Sequence, residues 1–99
     1  MRTIKEYVDE LKEEIEGAEN YAEKYVECKA AGHIERANKY KEMARDELRH
    51  AENIHQWAVA KIEEVSKIYT PPAEMEEAWR KAHKEYVKHV AEIKIMLEI

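Results

Sequence analysis

Apolar residues in this chain recur in steps of three and four, and that spacing constrains the fold more than any other feature. They fall at Ile4, Val8, Leu11, Ile15, Ala18, Ala22 and Tyr25. A helix gathers positions so spaced onto one stripe, whereas a strand divides them between two faces. The pattern returns at Ala37, Tyr40, Ala44, Ala51, Ile54, Ala58, Ile62 and Val65, and again at Met75, Trp79, Ala82, Tyr86, Val90, Ile93 and Leu97. The expected fold class is all-α, built from three long amphipathic helices.

Punctuation sets the boundaries. Thr3-Ile4-Lys5-Glu6 has capping-box spacing, with Thr3 as the N-cap and Glu6 reaching back. Gly32 is a natural helix stop, because glycine takes a positive φ without steric cost. Thr70-Pro71-Pro72 interrupts again, and proline is tolerated in a first turn but not inside a helix. The predicted helices cover about residues 4–30, 34–69 and 73–97. The short connection at Gly32 makes the first two an antiparallel hairpin. The 99 residues form one domain at most, and a chain this short is expected to need a partner chain to bury such long helices.

Charge narrows the function classes. Net charge is −5, with 22 acidic residues and no basic stripe, which argues against nucleic acid and leaves cations as better partners. One cysteine, Cys28, excludes an internal disulfide framework and suits a reducing compartment. No apolar run approaches a membrane span, and Met1-Arg2-Thr3-Ile4-Lys5-Glu6 lacks a signal-peptide core. The expectation is a cytoplasmic protein with no membrane partner.

Glu47 is the residue that breaks pattern. It continues the spacing of Tyr40, Ala44, Ala51 and Ile54, so a carboxylate stands inside an apolar stripe. Burying an unpaired carboxylate is costly unless a cation or hydrogen-bond partner compensates it. His50, three residues on, shares its face. Ala44 and Ala51 leave space on either side. On the first helix, Glu14 sits at the stripe's edge near Leu11, Ala18 and Tyr21. An antiparallel hairpin turning near Gly32 puts it at the height of His50. Carboxylate and imidazole donors together suit iron, manganese or zinc. The candidate metal ligands are therefore Glu14, Glu47 and His50, with Glu19 as the substitute on the first helix. Glu52–His55 repeats the spacing and is read as surface or interface. Tyr21 is either a hydrogen-bond donor to the site or core packing, and Trp57 and Trp79 are read as core or subunit contacts.

Glu14, Tyr21 and the run Ala44-Arg45-Asp46-Glu47-Leu48-Arg49-His50-Ala51 resemble the ferritin-like superfamily. The second segment is similar to a metal helix of rubrerythrins. Glu13-Glu14-Ile15-Glu16 with Tyr21 and Cys28 is similar to the first helix of encapsulated ferritins, short chains that carry half a bundle. The resemblance implies a homodimer or higher oligomer whose two hairpins complete a four-helix bundle. It also implies a di-iron site shared between chains and a ferroxidase-type oxidation of Fe(II), with a protein shell as a further partner. Glu47 would bridge two irons, while Glu14 and His50 would be terminal ligands. The third helix offers Glu76, Glu77, His83 and His89 but no Glu-x-x-His, so a second copy must supply the remaining ligands. The competing expectation is a metal-free helical interaction or assembly protein.

Overall fold

The computed structural model describes residues 2–99 and, among them, contains three α-helices and no strand: α1 (Ile4–Ala30), α2 (Ile34–Ser66) and α3 (Ala73–Leu97). The molecule is a rod of 55 × 21 × 16 Å. Its length is that of α2, whose 33 residues rise about 1.5 Å each.

Both halves of the expected capping box are present. The Glu6 amide donates to Thr3 Oγ1 at 3.1 Å, and the Thr3 amide donates to the Glu6 carboxylate at 3.4 Å. At the other end of α1, Gly32 takes φ +82°. The His33 amide donates back to the Cys28 carbonyl at 2.9 Å, and the Gly32 amide to that of Lys29 at 3.1 Å. Those two bonds form a Schellman motif, which turns the chain sharply into α2.

The second helix stops at Ser66, short of the expected end near Tyr69. Proline at 71 and 72 disfavours helical backbone just before it. The last turn tightens instead, with the Ile68 and Tyr69 amides both donating to the Val65 carbonyl. Pro72 lies outside α3 as its N-cap, with extended backbone, and its carbonyl accepts from the Met75 and Glu76 amides.

The core runs between α1 and α2. Leu11, Ile15, Ala18, Ala22 and Tyr25 of α1 meet Ala37, Ala44, Ala51 and Ile54 of α2, all buried. The alanines bring the two backbones close together. The third helix packs chiefly on α1. Only its C-terminal half is anchored in the core, through Ile93 and Leu97. The Ile99 carbonyl accepts from Lys29 Nζ at 2.6 Å, which ties the end of α3 to the end of α1. Trp79 is half-buried, but Trp57 is 53 % exposed and so takes no part in this chain's core. No helix among the described residues is long and apolar enough to cross a membrane.

Candidate metal centre

The hairpin brings Glu14, Glu47 and His50 together. One donor atom from each lies within 4.8 Å of the others, and no other such group of three occurs among the described residues. His50 Nδ1 stands 3.6 Å from Glu14 Oε2 and 4.0 Å from Glu47 Oε1. The cause is register. Ala18 and Ala44 are fully buried, so α1 and α2 approach closely there. Side chains one turn away along the stripes then converge.

The cluster is sunk at its carboxylates and open at its imidazole. The side chains of Glu14 and Glu47 are 24 % and 27 % exposed, and that of His50 is 49 % exposed. Glu14 Oε2 is buried with no hydrogen-bond partner. Two facing carboxylates repel each other unless a proton or cation lies between them. Accordingly, the Glu14 pKa is raised, first by the Glu47 carboxyl beside it, then by burial and by the charge of Glu47, with His50 opposing.

Gly17 makes room for this arrangement. A Cβ built there would sit 3.1 Å from Glu47 Oε2. Nothing in the spacing of the sequence singles out Gly17, although a glycine inside a helix, costing about 1 kcal/mol relative to alanine, is a signal in itself. The residues present therefore fit a cation on two counts: an orphaned buried carboxylate oxygen, and a gap that a methyl group would fill. Gly17→Ala is expected to stabilise the metal-free helix by up to about 1 kcal/mol. The same change is expected to weaken divalent-cation binding at least tenfold, roughly the loss seen when groups supporting a ligand are removed. A thermal melt beside a Mn(II) titration checks both. Unchanged binding would mean that this gap does not set the position of Glu47.

The Glu14 pKa gives a second expectation. Its folded value lies above its ordinary 4.5, so the folded chain holds the extra proton between the two values. Stability contributed by that proton is full below the ordinary value and is lost as pH rises through the raised one. At neutral pH the paired charges cost stability. Metal-free Glu14→Gln should then melt above the parent protein at pH 7, by roughly 0.5–1 kcal/mol, the size of a typical net hydrogen bond. The difference should vanish below the ordinary glutamate value. A melting series across pH tests this, and a destabilised variant at pH 7 would contradict it.

The other residues considered from the sequence lie elsewhere. Glu19, the substitute ligand, faces α3, with its Oε2 3.6 Å from His89 Nδ1. Tyr21 stacks on Tyr40, with centroids 6.2 Å apart, and packs against the core. His55 meets His83 of α3 and is an intramolecular contact. Cys28 is a free, half-buried thiol.

The fold and cluster define a class, a three-helix all-α chain with a carboxylate–imidazole group on its hairpin. No family model, curated protein or solved structure matches the chain.

Proposed function

We propose that this protein is a ferritin-like iron-binding protein whose di-iron, ferroxidase-type site forms between two chains. One observation carries the reading: Glu14, Glu47 and His50 converge with an uncompensated buried carboxylate oxygen among them. Three donors per chain are too few to enclose two metal ions. The exposed His50 side leaves the cluster open to a second hairpin, which would bring an identical set and complete a four-helix bundle. Manganese or zinc could use the same donors.

Fe(II) is the substrate in this reading. Two Fe(II) ions give one electron each to one O2, which takes two protons and leaves as hydrogen peroxide. Peroxide itself can be the oxidant. The role of the chain is to place two substrate ions close enough to share one oxidant. Glu47 would neutralise charge between the two ions, and Glu14 and His50 would hold one ion each. The protein is expected to speed Fe(III) formation well above the protein-free rate when anaerobic Fe(II)-loaded, untagged protein meets oxygen or peroxide. Binding without faster oxidation would leave a metal-binding module lacking redox activity.

A metal-free assembly protein is the second reading. The exposure of Trp57, Val87 and Ile95 favours it, since such residues serve homotypic contacts without any metal. It predicts assembly that is indifferent to iron.

A further inference from the structure

A second pair of imidazoles converges where α2 meets the N-terminal half of α3. His55 Nε2 and His83 Nδ1 are 2.9 Å apart. His55 stacks on Tyr86, with centroids 4.4 Å apart and planes at 11°, and lies tilted against Trp79 at 5.5 Å. Trp79 also flanks His83 at 6.0 Å. Two rings from different helices are thus held with one nitrogen of each within hydrogen-bond distance of the other. We propose that His55 and His83 form a two-imidazole site for a borderline divalent cation of the zinc and nickel type, which clips α3 onto α2.

The geometry is close to what such a cation requires. Zn–N bonds of about 2.0–2.1 Å at a tetrahedral centre set two nitrogens about 3.3 Å apart. The observed pair needs to open by only a few tenths of an ångström. Without a cation, the pair shares one proton between two lone pairs. With one, both lone pairs are used and water fills the remaining positions. Neutral imidazole is the binding form. Burial, then the neighbouring His83, holds the His55 pKa below the ordinary imidazole value. Trp79 and His83 lie N-terminal to the part of α3 that packs on the core through Tyr86, Val90, Ile93 and Leu97, so a clip there adds a constraint that the core does not supply. The site is distinct from the first cluster. His55 follows His50 by five residues, roughly 7–8 Å along α2 and about 140° around it.

Zinc alone is the probe, and Glu47→Ala/His50→Ala is the background, so that a signal cannot come from the first cluster. Untagged protein is titrated with Zn(II) by calorimetry and melted with and without the ion, after circular dichroism establishes the fold. The expectation is one zinc per chain and a higher melting temperature. Adding His83→Gln, which keeps an amide able to hydrogen-bond His55, should weaken binding at least tenfold and abolish the shift. Equal binding with His83→Gln, or no zinc in the background variant, would overturn the site and leave a hydrogen-bonded histidine pair. Neither result bears on iron at Glu14, Glu47 and His50.

Discussion

Replacing Glu47 and His50 together by alanine is expected to abolish high-affinity iron binding, with a loss of at least about a hundredfold. Removing a group that merely supports a ligand already costs about 10–100-fold, and this variant removes two of three donors. Glu14 alone would remain, and a single carboxylate is a weak ligand by itself. The fold should survive, because neither side chain is among the buried core residues. Helix content and melting temperature should stay close to the parent's, and the loss of a carboxylate facing Glu14 should stabilise the metal-free chain slightly. An isotherm with Fe(II) under anaerobic conditions, beside a thermal melt, separates the two effects. A variant that binds as tightly as the parent would remove the cluster from consideration.

The second large effect concerns α3. Ile93 is 1 % exposed and is the largest fully buried side chain. With Leu97 it makes up the whole buried contribution of α3. Ile93→Ala is expected to cost about 2–5 kcal/mol through lost burial and the cavity left behind. Domains of this size have only about 5–15 kcal/mol in total. The melting temperature should fall by roughly 10 °C or more. The loss should release α3 before the hairpin, since α1 and α2 supply most of the shared core and α3 adds only Ile93 and Leu97 to it. Hydrogen exchange resolved by residue would show earlier exchange in residues 73–97 than in residues 11–25. A cost below about 1 kcal/mol would mean that α3 is not seated on α1 in solution, because such a value suits an exposed position.

Much of this architecture is legible in the sequence because helix periodicity is a local property. The capping box at Thr3 and the turn at Gly32 depend on neighbours within four residues, and both form as the sequence implies. The end of α2 is less legible. Competition between helix propagation and Pro71 is settled in the last turn, where no apolar contact favours either outcome. Glu47 stands out because it interrupts an apolar stripe, and the height of Glu14 follows from counting outward from the turn. The choice between Glu14 and Glu19 does not follow. It depends on the rotation of α1 about its axis, and α3 fixes that rotation by placing His89 beside Glu19. The contact between Gly17 and Glu47 is hidden for the same reason, since it joins two helices at an angle that spacing does not encode. His55 and His83 are separated by a connection and two partial helices, so only the packed chain brings them together.

Trp57, read from the sequence as core or subunit contact, stands 53 % exposed on α2, which leaves the second of the two. An aromatic ring left open on a long helix suits contact with another chain.

The central claim is that two chains share one site, and the most direct test is metal content and native mass measured on one untagged sample. After anaerobic Fe(II) loading and removal of free ion, elemental analysis gives iron per chain while light scattering gives the mass. The account predicts one iron per chain in a dimer or an even-numbered assembly. Iron-free protein, or iron bound at full affinity to a monomer, would contradict it.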